Sequence, residues 1–301
     1  MNDQVHPFRS PSARDTYLSW YDEQAEKWPV PAETQLAGTS FGNTFVRVCG
    51  PHEAPPMVLV PGDGETSLAW TLVVEALSAG YRTYCVDHLN DVGRSVPTRP
   101  VKRPADYVQW LEELLTALGL ERVHLVAHSY GAWISSLFAL AHPDRLQSLV
   151  LLAPPTVLRP PVGLMVRAIL YGLLPFRFYL QRYMYWYASD CVRDAETRTI
   201  IDAMVEEQLL ARKCFKRRTF LIPTVMADGD WQSLRVPTMF LVGENDVSYS
   251  ARMAVRRLDR VAPNVTSRIA ANADHHLTLC RPDWTSDRVL EFLSVTADTE
   301  L

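Results

Sequence analysis

Val123-His124-Leu125-Val126-Ala127-His128-Ser129-Tyr130-Gly131-Ala132-Trp133 is an apolar strand that runs into a small-x-Ser-x-Gly turn and out into a helix. At such an elbow the serine occupies a strained backbone position, with its hydroxyl exposed beside helix N-terminal amides. Ala127 and Gly131 must be small because strand and helix backbones approach too closely for larger side chains. Ser129 is therefore the candidate nucleophile.

A nucleophilic serine requires a base, an acid that orients the base, and amide donors for the oxyanion. Upstream, Met57-Val58-Leu59-Val60 reads as a buried strand, and Pro61-Gly62-Asp63-Gly64-Glu65 as a glycine-bearing loop opening a helix. That loop places the backbone N–H of Asp63 to converge with that of Tyr130 on an oxyanion. Downstream, Thr238 to Gly243 is a further strand ending in Glu244-Asn245-Asp246. Asp246 is the expected acid, with Glu244 second. Thr266 to Ala270 is followed by Asn272-Ala273-Asp274-His275-His276, which supplies the base in the chain order Ser, Asp, His.

On these residues the chain resembles the α/β-hydrolase superfamily from about residue 35 to 296. Pro61-Gly62 looks like the superfamily's His-Gly oxyanion loop with proline in place of histidine. Asp87-His88-Leu89-Asn90-Asp91-Val92-Gly93-Arg94-Ser95 is similar to its Asp-x-x-Gly-x-x-Gly-Arg-Ser loop, with Asn90, which tolerates left-handed backbone angles, where glycine is usual. The spacing from His275 to Pro282 matches that from catalytic histidine to last helix, which selects His275 over His276. Ala127 and Asp274 depart from the usual glycines. The resemblance implies an α/β-hydrolase fold, a mostly parallel sheet with helices on both faces and an inserted helical lid. It also implies acyl transfer through Ser129, His275 and Asp246 without metal or organic cofactor.

Strand and helix alternate through Leu146 to Leu152, as a parallel sheet requires. Residues 34–155 and 236–301 form the expected core. Residues 1–33 form an N-terminal extension, with a helix over Ala13 to Lys27 whose Tyr17, Trp20 and Tyr21 suit packing on the body. Residues 156–235 break the rhythm for too long to be a loop. They are expected to form the lid, with helices over Val162 to Leu174, Phe176 to Tyr187, Ala195 to Ala211 and Lys213 to Ile222. From its aromatic cluster Tyr179, Tyr183 and Trp186 are chosen to contact an apolar substrate. Arg212, Lys213, Lys216, Arg217 and Arg218 read as a solvated helix face.

At 301 residues, 48% of them hydrophobic, the chain can bury a large core. A net charge of −4 argues against a nucleic-acid partner. No apolar run of about 18 residues predicts a membrane span. Met1 to His6 lack the basic start of a secretory signal, and five scattered cysteines without metal spacing suit a reducing cytoplasm. The expected partner is a small molecule; the oligomeric state stays open. Two reactions share this machinery: hydrolysis of a medium-sized, largely apolar carboxylic ester, and a lyase or cyclase of specialised metabolism in which His275 drives loss of an acyloxy group such as acetate.

Overall fold

The structure, a computed structural model, describes residues 7–174, 176–216 and 219–297. Its strands are β1 (Glu33–Thr39), β2 (Gly42–Cys49), β3 (Pro56–Val60), β4 (Arg82–Val86), β5 (Val96–Pro97), β6 (Val123–His128), β7 (Leu146–Leu152), β8 (Thr238–Gly243) and β9 (Val265–Ala270). Its α-helices are α1 (Pro11–Ala25), α2 (Val74–Ser78), α3 (Pro104–Ala117), α4 (Ser129–Ala141), α5 (Val162–Leu173), α6 (Arg177–Tyr187), α7 (Ala195–Cys214), α8 (Asp228–Gln232), α9 (Ala251–Val261), α10 (Leu277–Cys280) and α11 (Pro282–Ala297).

The strands form one sheet in the order β1-β2-β4-β3-β6-β7-β8-β9, with β5 paired to β2. Pairing is antiparallel around β2 and parallel from β4 through β3, β6, β7 and β8 to β9. This is the α/β-hydrolase fold. Strand β6 lies between β3 and β7, and all six of its residues are buried, its two histidines included, which explains why it is mostly apolar. Two separate cores cover the sheet. Trp110, Leu114, Trp133, Phe138 and Leu258 pack on one face, and Trp70, Leu77, Val289 and Leu293 on the other.

The elbow between β6 and α4 is held by close backbone approach. Ser129 takes φ 48°, in the left-handed region that costs a non-glycine residue on the order of 1–3 kcal/mol. A Cβ at Gly131 would lie 2.4 Å from the Pro61 carbonyl oxygen and 2.6 Å from that of Val60. Only glycine lets α4 descend onto the end of β3, and this brings Ser129 beside the loop that follows that strand.

Helix α1 starts at Pro11 with Ser10 as its cap, the Ser10 hydroxyl accepting from Ala13 N–H at 3.1 Å. Its Tyr17 and Tyr21 are fully buried against Phe45 and Phe215. The expected helix over Lys213 to Ile222 does not form: α7 ends at Cys214, and Phe215 turns extended to bridge Phe8 while Lys216 N–H bonds to the Pro7 carbonyl. Pairing with the N-terminal segment replaces helical hydrogen bonds there; Arg217 and Arg218, like Met1 to His6, lie outside the described residues. Arg212 is not a solvated group, since it donates to the Tyr171 and Leu174 carbonyls. Asn90 does not adopt a positive φ; its side chain donates instead to the Thr219 carbonyl at 2.8 Å. Among the described residues, no helix is long and apolar enough to cross a membrane.

The five cysteines, scattered in the sequence, do not all stay apart in the fold. Cys191 and Cys280 form a disulfide, with Cα atoms 4.9 Å apart, joining the segment between α6 and α7 to the end of α10. The two are 89 residues apart in sequence, and no local spacing reveals that the fold brings them together. Cys49, Cys85 and Cys214 are free and buried. Alkylation in denaturant without reductant should therefore add three labels by intact mass, and five only after reduction. Cys191→Ser should destabilise the protein by up to about 4 kcal/mol in urea unfolding, as expected for opening a loop of this length. Five labels without reductant would overturn the pairing.

Candidate active site

The residues chosen from four separate strand ends meet at the carboxyl edge of the sheet, where α/β folds place their ligands. Ser129 follows β6, Asp63 follows β3, Asp246 follows β8 and His275 follows β9. His275 Nδ1 donates to Asp246 Oδ2 at 2.8 Å, which leaves Nε2 to accept from the Ser129 hydroxyl, also at 2.8 Å. Asp246 Oδ1 accepts the Ser248 N–H at 2.7 Å, and the Ser248 hydroxyl lies 3.3 Å from His275 Nδ1. Glu244 instead pairs with Arg252 at the surface. His276 is turned toward Asp274, with Nδ1 at 3.5 Å from its carboxylate.

Burial would raise the Asp246 carboxyl, but the adjoining His275 and the hydrogen bonds it accepts hold it below its ordinary value. For His275, burial disfavours the cation; Asp246 opposes this, while His128 and His276 add to it. The net shift is downward. The imidazole is thus kept neutral and available as a proton acceptor.

Helix α4 opens at Ser129, so the Tyr130 amide belongs to a first turn that has no intrahelical acceptors. Asp63 borders the cavity over Ser129. Its loop is fixed on both sides: Gly62 N–H donates to Glu65 Oε2 at 2.7 Å and Gly64 N–H to Asp91 Oδ2 at 2.8 Å. Gln208 of α7 donates to the Gly64 carbonyl at 2.8 Å.

The cavity itself has a volume of about 140 Å³ and is roofed by Tyr171, Tyr183, Met184 and Tyr187. Tyr183 therefore stands where a substrate contact was expected, but Tyr179 and Trp186 do not border this cavity. Tyr179 lies two helical turns, about 12 Å, from Tyr187 along α6. Trp186 sits about 100° around the helix from Tyr187, packed under the Arg167 guanidinium at 4.6 Å. Tyr187, not chosen from sequence, has its ring 4.7 Å from that of His275, and its hydroxyl shares a 2.8 Å hydrogen bond with that of Ser248.

Sequence reasoning also missed a buried pair beneath the candidate catalytic groups. His128 Nδ1 lies 3.0 Å from Glu65 Oε2 and its Nε2 lies 3.1 Å from the His275 carbonyl oxygen. Both nitrogens face acceptors, and a neutral imidazole donates from one nitrogen alone, so the geometry calls for imidazolium. Burial opposes both charges. Each partner overrides it for the other, bringing Glu65 down to about 2 and raising His128 above the ordinary histidine value. The one local signal was a polar His128 closing a strand that is apolar apart from it and His124.

Comparison with known proteins agrees with this architecture. The Alpha/beta hydrolase family matches residues 57–288. Carboxylesterase YbfK of Bacillus subtilis is 28% identical over 282 residues, covering 91% of this chain and 92% of that protein. The naproxen esterase (carboxylesterase NP) structure from Bacillus subtilis superposes with a TM-score of 0.85 at 26% identity, covering 94% of this chain and 99% of that one. The structure of carboxylesterase CesB (YbfK) from the same organism gives 0.84 at 26% identity, with 94% and 98% covered. The chain belongs to the alpha/beta hydrolase family and is an enzyme of that family.

Stability should report the buried pair through pH. Glu65, lowered from 4.5 to about 2, stabilises the fold above pH 4.5 and loses that contribution as pH falls toward 2. His128, raised above 6.5, stabilises below pH 6.5 and loses its contribution as pH rises through its folded value. The deficit of Glu65→Gln against wild type in urea unfolding should thus be largest between pH 4.5 and 6.5, about 3 kcal/mol, and shrink on either side. A deficit independent of pH would refute the charge pair.

Proposed function

We propose that this enzyme hydrolyses carboxylic esters of medium-sized, largely apolar substrates through an acyl-Ser129 intermediate. The observation that carries the reading is the unbroken chain Ser129–His275–Asp246, with 2.8 Å at each link and the serine strained on its elbow. Carboxylesterase relatives that match nearly the whole chain support the same reaction class.

In this mechanism His275 Nε2 takes the Ser129 proton as the hydroxyl oxygen attacks the ester carbonyl. Asp246 holds the imidazole in the tautomer that leaves Nε2 open, and stabilises the cation that forms. The Asp63 and Tyr130 amides receive the oxyanion; in comparable systems losing one such donor costs roughly 3 to 4 kcal/mol. His275 then protonates the departing alcohol, and water, deprotonated by the same nitrogen, releases the acid. Tyr183, Tyr187 and Met184 offer apolar walls with a few polar tips, the lining expected for an apolar ester.

Turnover of a p-nitrophenyl ester should disappear in Ser129→Ala with circular dichroism unchanged, and turnover in ¹⁸O-water should place label in the released acid. An unsaturated product with an unlabelled carboxylate would show elimination, in which the alkyl C–O bond breaks, and would overturn hydrolysis.

Because His275 must be neutral to act and its pKa is depressed, kcat/KM should rise with pH through an apparent value below 6.5 and stay level through neutrality. A limb centred above 6.5 would contradict the electrostatics assigned to the base.

A further inference from the structure

The cavity over Ser129, about 140 Å³, is smaller than the roughly 300–1,000 Å³ typical of pockets that enclose a drug-sized ligand. A medium-sized ester must extend beyond it. Two larger cavities adjoin. One, of about 620 Å³, is bordered by Arg9, Arg99, Arg212 and Lys216 and has Gln208 in common with the catalytic cavity. The Arg212 guanidinium stands between the two, 4.8 Å over the Tyr171 ring and bonded to the Tyr171 carbonyl at 2.8 Å.

The other, of about 480 Å³, shares Gly64, Glu65, Met204 and His276 with the catalytic cavity. It lies between α1, the 3-10 turn Ser67–Trp70 and α7, with Trp20, Leu68, Leu72, Ile200, Ala203 and Leu279 giving it an apolar lining. We infer that this chamber is the binding site for the longer apolar arm of the substrate, an alkyl or alkyl-aryl chain whose ester carbonyl sits at Ser129, with Met204 at the neck between the two cavities. The inference rests on the ester-hydrolase reading and adds where the chain goes and what sets its length.

The charges of the chamber fit an uncharged occupant. Lys27 and Glu196 are solvent-exposed and mark its mouth. Glu65 is neutralised by His128. Glu207, buried on α7, accepts a 2.7 Å hydrogen bond from the Tyr17 hydroxyl, and burial raises its carboxyl to about 8, so it is largely protonated at neutral pH. The N-terminal helix therefore furnishes a wall of the chamber, through Trp20, and also the partner of its buried acid.

Two substrate series separate the acyl from the alcohol side: p-nitrophenyl esters from acetate to dodecanoate, and acetate esters of methanol to octanol. Ala203→Trp should fill the chamber and lower kcat/KM for long chains in one series by at least about tenfold, in the range that apolar pocket contacts command, while p-nitrophenyl acetate changes by less than about threefold. Ile200→Ala should move the optimum toward longer chains in that series. Equal loss on short and long chains in a folded Ala203→Trp protein, or no change in chain-length preference, would overturn the proposal. So would an unmoved optimum in Ile200→Ala, which serves alone should Ala203→Trp fail to fold. Calorimetric binding of decyl acetate to Ser129→Ala, weakened by adding Ala203→Trp, reads the chamber without turnover. Absent hydrolysis with intact binding would sink the esterase reading and spare the chamber; lost chain-length dependence with intact acetate hydrolysis would do the reverse.

Discussion

The His128 imidazolium is the interaction on which the geometry of the site depends. Its two N–H groups reach Glu65 and the His275 carbonyl, and the same Glu65 oxygen receives the Gly62 N–H. One buried side chain thus ties the loop after β3 to the loop after β9 across the elbow after β6. A buried carboxylate alone would be neutral and a buried histidine alone unprotonated. Each charge exists because of the other. The arrangement also explains why Gly62 is glycine: a Cβ there would lie 2.8 Å from the Glu65 carboxylate and 3.1 Å from His128 Nδ1.

The helical insertion is fastened to the same loops. Asp274 accepts the Asp190 and Cys191 N–H groups at 2.9 and 3.0 Å, Cys191 is bonded to Cys280, and Tyr187 reaches Ser248. Each attachment lands within a few residues of His275 or Asp246. Unlike a loop tethered only at its ends, this roof is linked covalently and by hydrogen bonds to the loops that carry His275 and Asp246. Its position over Ser129 is thereby coupled to theirs.

What the sequence disclosed follows the range of the forces involved. Ser129, Asp246 and His275 could be picked out because each lies within five residues of the end of a strand, and a parallel sheet brings such ends together whatever the helices do. Tyr187 was passed over for Trp186 because helical spacing gives relative phase around α6, whereas which phase faces the site is fixed by Leu180 and Met184 packing on α7 and Leu279. The helix expected beyond Lys213 failed for a similar reason: an apolar pattern there pairs with Pro7 and Phe8, some 200 residues earlier, and nothing local records it. Glu65 and His128 escaped because they are 63 residues apart, and a lone glutamate in a loop gives no sign that it will be buried.

Three carboxylate–imidazole pairs converge here, and their different geometries divide the electrostatic labour. Glu65–His128 at 3.0 Å is an ion pair with both imidazole nitrogens donating, so it is a fixed cross-link. In Asp274–His276 the carboxylate lies 3.5 Å from the ring nitrogen and accepts main-chain N–H groups from the insertion and from His276 itself, so its chief work is to hold backbone. Asp246–His275 at 2.8 Å leaves one imidazole nitrogen on Ser129. The positive charge on His128 lowers the proton affinity of His275, and Asp246 restores part of it. An imidazole held neutral at rest beside a carboxylate that favours its cation suits the general-base role proposed for His275, and the Glu65–His128 pair contributes to that setting through the raised proton affinity of His128.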